Sequence, residues 1–173
     1  NFDILKALDR AVSDGCDLVN MCLGSQGSVD AATHDAISNA RAHGTLVFAA
    51  AGNDDRWPVA APAKDPMALA VSALGRKGTY PAGSVEAGDV MAPFGTDKKN
   101  YVTSFSNIGP EIDLTAPGDG IISTFPGGYA VPDGTSLACP AAAGPAARML
   151  AGQAAILAMP RNQARSDAMA KFV

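Results

Sequence analysis

Charge is scarce in this sequence. Asp, Glu, Lys and Arg supply 17% of the 173 residues, the formal net charge is −4, and lysines and arginines nowhere gather into a run. A polyphosphate partner is therefore not expected, and nucleic-acid binding is set aside. Long hydrophobic runs are lacking too. The longest apolar stretch, 141–159, is interrupted by Gly144, Pro145, Arg148, Gly152 and Gln153. It falls short of the roughly 18–20 apolar residues that span a bilayer, so no membrane partner is expected. Cysteine is limited to Cys16, Cys22 and Cys139, an odd set without metal-ligand spacing that leaves at least one thiol unpaired. All three stand among apolar or small residues, which predicts buried free thiols. The opening residues, NFDILKALDR, carry neither an initiating methionine nor a signal-peptide layout. A mature product or a piece of a longer chain is the expectation.

What is present suits one globular domain over residues 1–173: 47% of residues are hydrophobic, enough to bury a real core. Ile4, Leu5, Leu8, Ala11 and Val12 recur on one helical face, with Gly15 as a natural stop. DLVNMCL (17–23) reads as a short buried strand and GSQGS (24–28) as a loop. Ser28 is the expected cap of a second helix, whose inner face is Val29, Ala32, Ala36, Ile37 and Ala40. TLVFAAA (45–51) is the next strand, and further strands are expected at 68–74, 103–106, 112–116 and 121–125. Residues 75–101, rich in Gly, Pro, Asp and Lys, read as an exposed excursion. DGTSLACPAAAG (133–144) opens a helix, and MPRNQARSDAMAKF (159–172) closes the chain with another. Helices alternating with near-continuous apolar strands predict an α/β three-layer sandwich, its mostly parallel sheet covered by helices on both faces.

Three separated stretches make sense as one site. In Gly134-Thr135-Ser136 the serine enters a helix, where free N–H groups and the positive dipole end favour a developing oxyanion. A plain N-cap serine is the competing reading. Asn53 lies just beyond a buried parallel strand, on the side where α/β sheets bind ligands. Its amide offers a second oxyanion donor, or else merely stabilises a turn. CLGSQG (22–27) offers exposed backbone on which an extended peptide can add as a strand. Its glycines alternatively suit a phosphate-cradling loop, although neither common phosphate-loop spacing is present.

Taken together, LKALDRAVSDGCDLVNMCLGS, GTLVFAAAGND, APAKDPMALAVSAL, TSFSNIGPEIDLTAPGDGIISTFPGG and DGTSLACP resemble, in order, the later part of a subtilisin-like serine protease domain. The resemblance runs from residue 1 to about 150. It implies Ser136 as nucleophile, with Asn53 and the Ser136 N–H as oxyanion hole. Leu23, Gly24 and Ser25 would form one rim of the peptide cleft, Ala50, Ala51 and Gly52 the facing wall of the specificity pocket, and Thr135 would also touch substrate. Asp113 matches an aspartate that helps hold a cation, with backbone carbonyls near Ala63 and Asp65. One carboxylate plus carbonyls suits a structural calcium, and the reaction itself requires no cofactor. A polypeptide substrate and a secreted or extracytoplasmic location are implied as well.

HGTLVFAAAG (43–52) mimics the family's histidine motif but stands too close to Ser136 and directly before the oxyanion strand. His43 therefore reads as a helix-end histidine next to the terminating Gly44, and His34 as a solvated mid-helix residue. The family's Asp and His lie upstream of anything present here. The fold is accordingly expected to be incomplete, with apolar surface exposed and self-association or pairing with the missing N-terminal segment as the consequence. Two other departures stand out. Ala141 replaces the usual histidine after the nucleophile motif, and Pro145 predicts a kink or break in the nucleophile helix. A catalytically inactive peptide-binding module and a nucleotide-binding α/β domain are the rival functions.

Overall fold

The computed structural model describes residues 2–90 and 97–173. The elements are α1 (Phe2–Ser13), β1 (Leu18–Met21), α2 (Ala31–Ala42), β2 (Leu46–Ala50), β3 (Ala68–Arg76), α3 (Val85–Gly88), β4 (Asn100–Val102), β5 (Ile112–Pro117), β6 (Ser123–Phe125), β7 (Gly128–Ala130), α4 (Thr135–Ala151), α5 (Ala154–Leu157) and α6 (Gln163–Phe172). β1, β2, β3 and β5 pair in parallel, with β3 between β2 and β5. β4 is antiparallel and joins β3 at Leu74–Arg76, beyond Val71, the last residue paired with β2.

Side-chain alternation along β2 sets the layers. Val47 and Ala49 pack with Leu8, Ile37 and Ala40 of α1 and α2. Leu46, Phe48 and Ala50 face the other way, toward Ala138, Ala146 and Leu150 of α4 and Met169 of α6. A strand covered on both faces must be apolar at every position, which is why TLVFAAA shows no polar alternation. The expected three-layer α/β arrangement is thus present. α6 is tied to the rest by Arg165, which is buried and donates to the Gly44 carbonyl at 2.8 Å and to Asp17 at 2.8 Å.

Several local expectations fail for identifiable reasons. Asp30, not Ser28, caps α2: its carboxylate accepts the Thr33 N–H at 3.0 Å and the Thr33 hydroxyl at 2.9 Å. Residues 104–106 form a turn instead of a strand, and Thr103 makes only an isolated bridge to Val90. There the Ser106 hydroxyl accepts the Ala73 N–H at 3.1 Å, so a side chain takes the place of a ladder partner. Residues 121–125 contribute only β6, folded onto β7 as a hairpin that the sequence did not suggest. The 75–101 excursion is not wholly exposed, since Tyr101 is fully buried; residues 91–96 of it lie outside the described residues. α4 runs unbroken through Pro140 and Pro145. Cys139 is buried as expected, but Cys16 and Cys22 are exposed.

Candidate functional site

The parallel strands end on one side of the sheet, and the segments that leave them meet α4 there. A cleft of about 330 Å³ results, and Leu23, Gly24, Ser25, Ala50, Gly52, Asn53, Thr135 and Ser136 all line it. Ala51 is the exception. Alternation turns its side chain into the core between sheet and α1/α2, where it is fully buried, so the wall consists of Ala50 and Gly52.

Asn53 is held in one orientation. Its Oδ1 accepts both the Thr135 N–H at 2.8 Å and the Thr135 hydroxyl at 2.9 Å. The same hydroxyl oxygen accepts the Gly52 N–H at 3.1 Å. With the carbonyl oxygen of the amide occupied, Nδ2 is the part of Asn53 left to donate. Thr135 is itself buried and anchors the latch, while Asn53 is exposed. At the start of α4 the Leu137 and Ala138 N–H groups both turn back to the Gly134 carbonyl. Among the described residues the Ser136 N–H has no such partner, as the geometry of a helix start dictates. Two donors, Asn53 Nδ2 and Ser136 N–H, therefore belong to the same corner of the cleft as the Ser136 hydroxyl.

Asn107 supports this corner from below, and sequence reasoning missed it. It is fully buried and clamps the loop after β2: its N–H donates to the Gly52 carbonyl at 2.9 Å, Oδ1 accepts the Asp54 N–H at 2.9 Å, and Nδ2 donates to Ala51 O at 3.2 Å and Asp54 Oδ2 at 2.8 Å. Gly52 has φ +105°, and a Cβ there would lie 2.3 Å from Asn107 Nδ2, so only glycine fits. Nothing in TSFSN distinguishes Asn107 locally; it belongs to a loop whose partner is 53 residues away.

At the rim, Ser25 is already paired. Its N–H donates to Ala61 O at 2.9 Å and its carbonyl accepts the Ala61 N–H at 3.0 Å. Backbone available to an added peptide strand is thus confined to the Leu23–Gly24 side of the loop. Neither histidine joins the cleft. His43 caps α2, with Nδ1 donating to Asn39 O at 2.8 Å, as a helix-end histidine should. His34 is not simply solvated: its Nδ1 lies 2.8 Å from the buried carboxylate of Asp65, which raises its pKa.

Asp113 sits on β5, where Oδ2 accepts the Ala70 N–H at 2.8 Å and helps hold β5 to β3. Elsewhere, one carboxylate oxygen from each of Asp89, Asp119 and Asp133 lies within 4.8 Å of the others, close enough to share a cation. Asp119 is buried, its Oδ1 has no hydrogen-bond partner among the described residues, and Oδ2 accepts from the Tyr101 hydroxyl. Burial first, and then the neighbouring Asp133 and Asp89, push its carboxyl up to about 6, although the Tyr101 bond opposes this.

A model of the subtilase family matches residues 1–169. The chain is 37% identical over 145 residues to alkaline elastase YaB of Bacillus sp. (strain YaB), covering 83% of this chain and 32% of that protein. It is 35% identical over 145 residues to subtilisin Savinase of Lederbergia lenta, covering 83% of this chain and 45% of the relative. Among solved structures, the prenylagaramide maturation protease PagA matches with a TM-score of 0.71 at 28% identity, covering 94% of this chain and 54% of that one. The chain therefore spans about a third to a half of the length of these proteins.

Proposed function

This chain belongs to the subtilase family, and on that premise we propose that it is the serine-bearing part of a serine endopeptidase domain. Ser136 Oγ attacks the carbonyl carbon of a peptide bond, and the resulting oxyanion is held by Asn53 Nδ2 and the Ser136 N–H. The amine then leaves with a proton, and water hydrolyses the acyl-serine. A serine hydroxyl needs an adjacent base to react near neutral pH. Neither of the two histidines of this sequence, His34 and His43, is among the residues that line the cleft around Ser136. The base and its orienting carboxylate are therefore assigned to a His and an Asp outside this chain. A polypeptide substrate would lie extended along Leu23 and Gly24, with a side chain directed toward Ala50 and Gly52. In the same reading a structural calcium would be held by Asp113 Oδ1 together with backbone carbonyls near Ala63 and Asp65, oxygen ligands of the kind that ion takes. An extracytoplasmic location belongs to it too.

The observation that supports the proposal most is the latch on Asn53, which holds its Oδ1 on Thr135 in the cleft that Ser136 also lines and leaves Nδ2 as its donor. A fluorophosphonate probe should leave the isolated chain unlabelled and should label Ser136 once the upstream segment is supplied. In that complete form Asn53→Ala should lower kcat by about 10²–10³ with little change in KM, the range that subtilisin itself set for loss of an oxyanion donor. Rapid labelling of the isolated chain would reveal a base within it. Silence after completion, with the fold intact, would favour a peptide-binding module instead.

A further inference from the structure

Asp89, Asp119 and Asp133 come from three separate parts of the chain: the end of α3, the turn after β5, and the segment that leads into α4 at Thr135. One carboxylate oxygen of each lies within 4.8 Å of the others, the spread of oxygens around an ion whose ligands stand at about 2.4 Å. None of the ion pairs among the described residues includes any of the three. Each carboxylate has one oxygen held by the protein. Asp89 Oδ1 accepts the Ser104 hydroxyl at 2.6 Å, Asp133 Oδ1 accepts the Gly120 N–H at 2.6 Å, and Asp119 Oδ2 accepts the Tyr101 hydroxyl. Donors placed in this way orient carboxylates for a metal. Asp119 adds what mere proximity of acids does not. The residue is 3% exposed, its Oδ1 is buried, and no hydrogen-bond donor among the described residues reaches that oxygen. A bare buried carboxylate oxygen with two further carboxylates beside it is costly, and buried charges are ordinarily paired or bound to a metal. The position is also held firmly. The Tyr80 hydroxyl donates to the Asp119 carbonyl, and Gly75 leaves the space, since a Cβ there would collide with Asp119 Oδ2 and the Tyr101 hydroxyl.

We propose that Asp89, Asp119 and Asp133 bind one calcium ion, with Asp119 Oδ1 as its buried ligand, and that the ion fastens the end of α3 and the turn after β5 to the segment entering α4. Three carboxylates and no nitrogen or sulfur donor select a hard divalent cation. Calcium is the fit, because it accepts an irregular set of oxygens, whereas magnesium demands a tight octahedron at about 2.0–2.1 Å. Asp89 and Asp133 are only half-buried, so water completes the shell from their side. The ion supplies the positive charge that no lysine or arginine brings to this cluster. This site is separate from Asp113, which stands near the start of β5, whereas Asp119 lies beyond its end. The Gly134 N–H donates to the Gly118 carbonyl at 2.8 Å, so the ion and this bond together fix the backbone just ahead of Thr135, the partner of Asn53. Any effect of the ion on Ser136 rests on the peptidase reading above; its binding does not.

The test uses the chain as it stands, freed of metal with chelator and then titrated with calcium alone near neutral pH. No turnover is required, so failure of the peptidase reading would leave the result intact. Calorimetry should give a dissociation constant of about 10⁻⁴–10⁻³ M, and calcium at about 10 mM should raise the thermal midpoint by roughly 3–10 °C. Asp119→Asn and Asp89→Asn keep acceptors for Tyr101 and Ser104 but lose a ligand charge, and each should weaken binding about tenfold or more. Asp113→Asn should leave this affinity unchanged. Terbium(III) in place of calcium gives a second readout. Tyr101, bonded to a ligand, should sensitise its emission, calcium should abolish that emission by displacement, and Tyr101→Phe should reduce it about twofold or more. Unchanged calcium affinity in Asp119→Asn, binding lost only with Asp113→Asn, or no midpoint shift with calcium would each overturn the proposal. Should an aspartate variant fail to fold, the terbium emission decides: loss in Tyr101→Phe supports the site, and emission indifferent to that change refutes it.

Discussion

Asp119 carries a buried oxygen without a partner among the described residues and has Asp89 and Asp133 beside it, so ionising it in the folded chain is unfavourable. Its carboxyl is pushed up to about 6 from an ordinary 3.8. Between those values the native state binds more protons than the unfolded chain, so stability falls as pH rises through that window and stays lower above it. Asp119→Asn keeps an acceptor for the Tyr101 hydroxyl and cannot ionise. It should flatten this slope and be more stable than the parent above pH 6 by up to about 3 kcal/mol. Urea unfolding across the window, with chelator present to remove any cation, checks this; an unchanged slope in the variant would be the contrary outcome. Thr135 and Asn107 show the opposite economy, since almost every polar atom they bury is matched by a named partner.

At the scale of the element, α4 is the instructive case. An interior proline ordinarily removes one backbone bond and costs about 3 kcal/mol, which is why a break was expected at Pro145. The helix continues because its inner face, Ala138, Ala143, Ala146 and Leu150, is clamped against the sheet. Packing, not propensity, holds that turn together. Pro145 itself is exposed, so replacing it sacrifices no burial. Pro145→Ala should restore an N–H for the Ala141 carbonyl and stabilise the chain by about 1–3 kcal/mol. The denaturation midpoint should rise with unchanged slope; a fall would mean that the proline ring itself is needed in its place.

For the molecule as a whole, the weakly covered part is the β6–β7 hairpin. Phe125 is 62% exposed and Tyr129 80% exposed, with Ile122 and Val131 exposed on either side. A two-stranded hairpin is marginal by itself, and this much grouped apolar surface favours association. The isolated chain should self-associate with rising concentration in light scattering, and Phe125→Ser with Tyr129→Ser should shift it toward the monomer. Equal monomeric mass for both at every concentration would remove this surface as the cause.

Period and polarity alone determined the layers, the parallel strands and the helix-end role of His43, because these depend on residues close together in the chain. From residue types alone the candidate site was legible where they met a secondary-structure end, Ser136 at a helix start and Asn53 and CLGSQG after strands; Ala50, Gly52 and Thr135 came from the family resemblance. The latch from Asn53 to Thr135 crosses 82 residues, and the Asn107 clamp is similarly remote. No local pattern encodes such pairs, since strand order and the side on which α4 packs decide them. The α2 cap at Asp30 is a local contact with Thr33, three residues on. Tertiary packing, by contrast, turned Ala51 into the core, carried α4 through Pro145 and left Cys22 exposed. In each instance the competing local preference amounts to a few kcal/mol at most, and the burial of a whole helix face outweighs it.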